Sequence, residues 1–535
     1  MRKNVSKTTT KCNAIKVLSV ALLAGLSVIG SNPASADSTY STLNDALVDA
    51  TTPRSYTVSQ EGETLSQNQD TVAAGDLKIS GVSSENPSVL DASGSSIFNI
   101  ANETNLILKD LDIKNALSNT NGAVLNITNS NATAEITNVN FSNNKISATS
   151  SDKGGGGIYN DGGHITTITG DFTDNSVTST LASYGGAIYN KTGTIDSIKG
   201  NFKNNYATGP TSATNSGGGA IANEEGTINK IEGVFEGNST QRDGGAIANG
   251  GYIGEINAQF LNNSAISTSM AFAGGGAISN IKGTIDKISG LFKGNLVSKN
   301  AVHTNYVDIG GAAIDNSGVI NSITADFIEN KIINEKTSAS VYGGVIYNRT
   351  ATIGDIKGNF RDNSAISGGK VYGGVITNWD DATIRSVTGD FTGNTVRSSD
   401  GINGGVIYNL GTIKNLQGNF SNNSSVSGSW LNGAIVSNHG TIESMSGVIS
   451  NNYSKAGTYN YGTIFFNKGN IQDLNVSFLN NTGIADGTYA MGVLTNHSGG
   501  NITSINGDFI GNILKSNTYA SATGISNTGT IGNVV

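Results

Sequence analysis

Cysteine occurs once in the 535 residues, at Cys12. It precedes an apolar run and is not placed as a lipid-anchored cysteine, so it leaves with any cleaved leader. The remainder can form no disulfide and carry no thiol chemistry. Charged residues are only 13%, which excludes an ordinary charged disordered chain, and proline occurs four times. The formal net charge is −8. Without Arg2, Lys3, Lys7, Lys11 and Lys16 the basic count falls from 32 to 27 against 40 acidic residues, a net charge of −13. Nucleic acid and anionic membrane surfaces are thereby excluded as partners, since both need clustered Lys and Arg. No stretch after residue 36 is apolar enough to span a membrane as a helix. A phosphate-binding loop, a nucleophile elbow and a calcium-type Gly-Gly-x-Gly-x-Asp repeat are all missing. No cofactor and no metal site is expected.

The five cations form a basic head, residues 14–30 are apolar, and Ala34-Ser35-Ala36 is a small-x-small cleavage site. Residues 1–36 therefore read as a secretory signal peptide, with Asp37 starting the mature chain. A transmembrane anchor is the alternative, but the run is short for one. Export through a Sec-type signal places the protein at the cell surface, in the outer membrane or outside the cell. Glycine is abundant, with 71 copies, and Asn, Ser and Thr are common, a composition of turns and strands. Residues 37–76 read as an N-terminal capping segment. It opens with an amphipathic helix over 38–50, capped by Ser41 or Thr42, with Leu43, Ala46, Leu47 and Ala50 on one face. Residues 77–535 read as repeats.

The repeat is clearest at Gly185-Gly186-Ala187-Ile188-Tyr189-Asn190, followed by Ile195, Ile198, Gly200 and Phe202-Lys203-Asn204-Asn205. The last Asn of its first part recurs as Asn160, Asn190, Asn223, Asn249, Asn280, Asn316, Asn348, Asn378, Asn409, Asn438, Asn467, Asn496 and Asn527, with Asn126 as a weaker earlier copy. A second Asn, three residues after a Phe, recurs in phase from Asn175 to Asn512; Ile449 replaces the Phe once. Length varies only between this second Asn and the next Gly-Gly, and insertions collect in surface loops. Period-two alternation points Ile188 and Asn190 inward. The Tyr189 position also holds Asp315, so it is expected to face out. Ile195 and Ile198 lie three apart, which implies a corner between them, and about three short strands per repeat. One such repeat buries too little to fold alone, whereas stacked copies share a core. The expected fold is all-β: a right-handed, single-stranded parallel β-helix of the pectin-lyase-like kind, one coil per repeat of about 30 residues. Thirteen marks imply roughly 58 Å of rise, with Asn stacked on Asn as a structural ladder.

The pairing of Gly-Gly-Ala-Ile with Phe-x-x-Asn resembles the repeats of chlamydial polymorphic membrane proteins and the β-helical passenger domains of autotransporter adhesins. Gly185–Ile188 with Phe202 and Asn205 fits best. Gly343-Gly344-Val345-Ile346 departs from the pattern, and Gly433-Ala434 lacks the second glycine. The resemblance covers about 122–535. It implies a cell-surface adhesin contacting a host protein or glycan, with a membrane contact only through a C-terminal anchor or barrel. The chain stops partway through a repeat, so a truncated C-terminus is expected.

No reactive constellation stands out, and the expectation is a protein that is not an enzyme. A polysaccharide lyase or glycoside hydrolase of the β-helix type is an alternative, needing converging carboxylates; a structural surface-layer rod is another. Asp380-Asp381 beside Trp379 reads as a turn. His164, His439 and His497 are assigned to the turn after the first motif. The variable segments 206–216, 264–273 and 296–309 are candidate binding loops, the last carrying His303, Tyr306 and Asp308.

Overall fold

The computed structural model describes residues 38–51, 53–66, 68, 71–149, 152–209, 217–267, 272–299, 308–335 and 338–535. The leader therefore lies outside the described residues. The fold is an all-β parallel solenoid of about 15 turns with about 30 residues per turn and almost no helix. One coil comprises a pre-glycine strand Ser183–Tyr184, a motif strand Ile188–Asn190, a long strand Thr194–Lys203 and a third strand Tyr206–Thr208. Equivalent strands pair in parallel, rung on rung. Ile188 lies beside Ile158 and Ile221, and Phe202 beside Phe172 and Phe235.

The bend between Ile195 and Ile198 is present, but the strand runs through it. The ladder pairs Ile195 with Ile228 and Ser197 with Lys230, skipping Asp196. The two-residue pre-glycine strand is a further element beyond the three expected. Gly185 has φ 53°, and a Cβ there would sit 1.9 Å from the Ile188 carbonyl oxygen. A Cβ at Gly200 would sit 1.8 Å from the Gly170 carbonyl oxygen of the preceding rung. A side chain cannot fit either place without moving backbone.

The lumen is filled by columns of identical side chains. Phenylalanines stack from Phe141 through Phe172 and Phe202 to Phe420, with centroids 4.7 and 4.8 Å apart over the first three. Each is fully buried and contributes about 2–3 kcal/mol of apolar burial. Ile449 interrupts the column between Phe420 and Phe478.

At the N-terminal end the helix is Leu43–Val48, with Thr42 as its cap accepting from the Asp45 backbone N–H at 3.3 Å. Leu43, Ala46 and Leu47 enter the core. Ala50 is exposed because the helix has ended at Asp49. Arg54 is buried beneath the helix. Its guanidinium donates to the carbonyls of Ala46 (3.1 Å), Leu47 (3.0 Å), Ala73 (2.7 Å) and Ala74 (3.2 Å). One side chain thus joins the helix end to the first rungs, where the parallel ladder runs from Ser38–Thr39 through Arg54–Thr57 to Gly75–Ser80.

Candidate binding cleft on an outer layer

Two asparagine columns run through the interior. Asn160 donates through Nδ2 to Asn190 Oδ1 at 3.0 Å, Asn190 to Asn223 at 2.8 Å, and Asn223 to Asn249 at 2.8 Å. The series continues through Asn280, Asn316, Asn348, Asn378, Asn409, Asn438 and Asn467 to Asn496, which donates to Asn527 at 2.8 Å. Asn126 is displaced by one residue from this column. Ile127 stands beside Asn160 and Asn126 beside Tyr159, so the Asn160 carboxamide oxygen, which is buried, has no donor. In the second column each Asn donates to the next through both backbone N and Nδ2, as Asn175 does to Asn205 at 3.0 Å in each case. Nδ2 also donates to the Phe141 carbonyl at 2.9 Å.

The position of Tyr189 faces out, as Asp315 led one to expect, but it is buried. Tyr189 is 4% exposed and Asp315 3%. The side chains do point away from the lumen, but a second layer covers them. It is built by the pre-glycine strand and by the first residue after each motif Asn. Tyr184 stacks on Tyr189 at 4.9 Å, and Tyr342 on Tyr347 at 5.3 Å. Trp379 meets Tyr342 edge-on at 4.8 Å, and half-buried Trp379 precedes the Asp380-Asp381 turn. Asp315 is accommodated because Arg349, one rung on, donates to both its oxygens, at 2.8 and 2.5 Å. The Arg349 guanidinium lies 3.6 Å from the Phe272 ring centre. Burial still raises the Asp315 carboxyl, against the pull of Arg349. Asp243 is pushed up to about 7 by burial and then by the charge of Asp315.

The histidines divide. His439 and His497 flank Phe466, each 5.6 Å from its ring centre. Burial, with Lys468 and His497 nearby, lowers His439 to about 4. His164 is not in the turn: it opens a long strand beside Thr194 and meets Asp196 at 2.7 Å. Among the described residues no group of three or more His, Cys, Asp or Glu is placed to hold a metal ion.

Segments assigned to loops are partly scaffold. Tyr206–Thr208, Ser264–Ser267 and Leu296–Lys299 are third strands in one register. His303 and Tyr306 lie outside the described residues. Asp308 is half-buried just before the pre-glycine strand Ile309–Gly310, accepts from the Ser340 N–H at 3.0 Å, and is raised by burial.

The outer layer has a gap. Ala222 and Ala248 take the place of tyrosine on consecutive rungs, and Gly217 takes the place of Tyr184. The result is a cleft of about 220 Å³. Ala222 and Ala248 form its floor, Tyr184 and Ile281 its walls, and Glu224, Glu225 and Lys282 its polar rim. Glu224 accepts a hydrogen bond from the Tyr189 hydroxyl. Burial and then Glu224 raise the Tyr189 hydroxyl far above the ordinary tyrosine value, so it stays a donor. The signal for this cleft was in the sequence, as alanines at two aligned positions that hold tyrosine on the two preceding rungs. A second outer feature was also legible: Ser429-Trp430, Thr458-Tyr459, Thr488-Tyr489 and Thr518-Tyr519 align on four rungs, and the three tyrosines are at least 36% exposed.

Residues 232–250 match the family model of the Chlamydia polymorphic membrane protein repeat. The matched stretch holds Phe235 and Asn238 of the lumen and Ala248 of the cleft floor. No curated protein and no solved structure matches the chain.

Proposed function

We propose that this β-solenoid is the displayed part of an exported, non-enzymatic surface protein of adhesin type, contacting a host-surface protein or glycan. The repeat match at 232–250 supports a surface or outer-membrane setting. The observation that carries the contact role is the division of labour between layers. Lumenal asparagines are committed to neighbouring rungs, while the outer layer changes from rung to rung and opens at Ala222 and Ala248. A scaffold with a varied outer surface suits recognition more than turnover. Bacteria displaying the full protein are expected to adhere to host cells, and an isogenic deletion is expected to lose that adhesion. Unchanged adhesion with altered envelope morphology would instead favour a structural rod.

A further inference from the structure

The cleft lies where the outer column changes from Tyr159 and Tyr189 to Ala222 and Ala248. On the rungs of Tyr159 and Tyr189 a ring fills this position, and Tyr184 packs against it. On the next two rungs alanine leaves that space open while the ladder beneath continues unbroken. Tyr184 of the preceding rung and Ile281 line the space above the two alanines.

We propose that this cleft binds a single hexopyranose, neutral or bearing an amino group, at the exposed end of a glycan; the proposal rests on the surface-contact reading and names the ligand for it. The occupant must be ring-sized and amphiphilic. One wall is the Tyr184 side chain, and the floor is two methyl groups, which suits the C–H face of a pyranose. The rim carries Glu224 and Glu225, acceptors for the hydroxyls at the ring edge, and Lys282 as a donor. Glu224 is already oriented by Tyr189, so little side-chain freedom is lost on binding. Charge separates the sugar classes. The lining carries two carboxylates against one ammonium, and the cations behind it have carboxylates of their own, Lys191 with Asp161 at 3.0 Å and Arg242 beside Asp243, so the cleft disfavours uronic and sialic acids and phosphorylated ligands. A wholly apolar occupant, such as a partner's phenyl ring, would leave both rim carboxylates without new donors.

The full chain is titrated with methyl glycosides of glucose, galactose, mannose, N-acetylglucosamine, glucosamine, glucuronate and sialic acid, with saturation-transfer NMR to detect contact. At least one neutral or amino sugar is expected to bind, and the acidic sugars are not. Ala248→Tyr restores the residue found at Tyr189 and Tyr347, and is expected to abolish binding with circular dichroism and melting unchanged. Glu225→Gln, on an exposed side chain, is expected to weaken binding about tenfold. The proposal is overturned if no sugar binds, if an acidic sugar binds best, or if binding survives Ala248→Tyr. Should that variant fail to fold, undiminished affinity in Glu225→Gln overturns it alone. Adhesion that is lost on deletion but kept in Ala248→Tyr would leave the contact role standing and remove the sugar site.

Discussion

Asn316→Asp tests the ladder without changing volume. Asn316 is fully buried. Its oxygen accepts from Asn280 Nδ2 at 2.8 Å and from the Gly318 N–H at 3.2 Å. Its nitrogen donates to Asn348 Oδ1 at 2.9 Å, and to the Gly318 and Thr352 carbonyls at 3.3 Å. A carboxylate keeps the accepting side and turns a second oxygen toward three acceptors. Burial, with the second oxygen facing acceptors, raises a carboxyl by up to about 3–5 units above its ordinary value near 3.9. The sign follows from that direction. Below the unfolded value both states are protonated, and the acid O–H can donate to Asn348, so the variant is close to native. As pH rises the folded state resists ionisation, and stability falls by about 1.4 kcal/mol per unit, to about 4 kcal/mol lost at pH 7. Guanidinium unfolding followed by circular dichroism, with both proteins measured from pH 4 to pH 8, reads this directly as a widening gap in midpoint. Asn527→Asp is the control. Asn527 is exposed and only accepts, from Asn496 at 2.8 Å and from the Gly529 N–H at 3.2 Å, so its loss should stay within about 0.5 kcal/mol. Equal, pH-independent losses at the two positions would refute the donor–acceptor polarity of the ladder.

Three further outcomes are expected. Phe327→Ala, between Phe292 at 5.1 Å and Phe360 at 4.7 Å, should cost about 3–5 kcal/mol in the same unfolding assay; Phe327→Ile should cost less, since Ile449 already serves in that column. His439→Leu copies Leu410 of the preceding rung. The native imidazole is held near 4, below its unfolded value of 6.5, so its contribution is full above 6.5 and is lost as pH falls toward 4. The native protein should therefore lose up to about 3 kcal/mol relative to the variant across that window, measured by denaturant midpoints. Arg54→Met removes the donor to four carbonyls and should destabilise the N-terminal end by about 3 kcal/mol, seen as lost hydrogen-exchange protection over 43–48 with the central rungs unaffected.

The lumen was legible because each inward position sees its own copy one rung away. Such a position must be self-complementary, so Phe repeats as Phe and Asn as Asn, and the repetition is visible in a single chain. Asn126 shows the limit of that signal: the residue type fits the column, but Leu125 and Ile127 already fill the inward places on either side of it. Arg54 was missed because it occurs once, at an end, where no periodicity points to it.

The outer layer was misread for a physical reason. An aspartate such as Asp315 marks an outward position, but a carboxylate is also tolerated under cover where a cation reaches it, and Arg349 supplies that cation from the turn one rung on. Outer positions are not self-complementary. They are filled by pairs drawn from different columns: Tyr189 with Tyr184, Asp315 with Arg349, Phe466 with His439 and His497. The information therefore lies in which residues co-occur on neighbouring rungs, which an inspection of each column by itself discards. Beyond Tyr189 the column offers Tyr184 only the methyl groups of Ala222 and Ala248, so the outer layer stays open there. The cleft is thus a consequence of mismatched columns over an intact ladder, and changing its floor should alter what it binds without altering the fold that carries it.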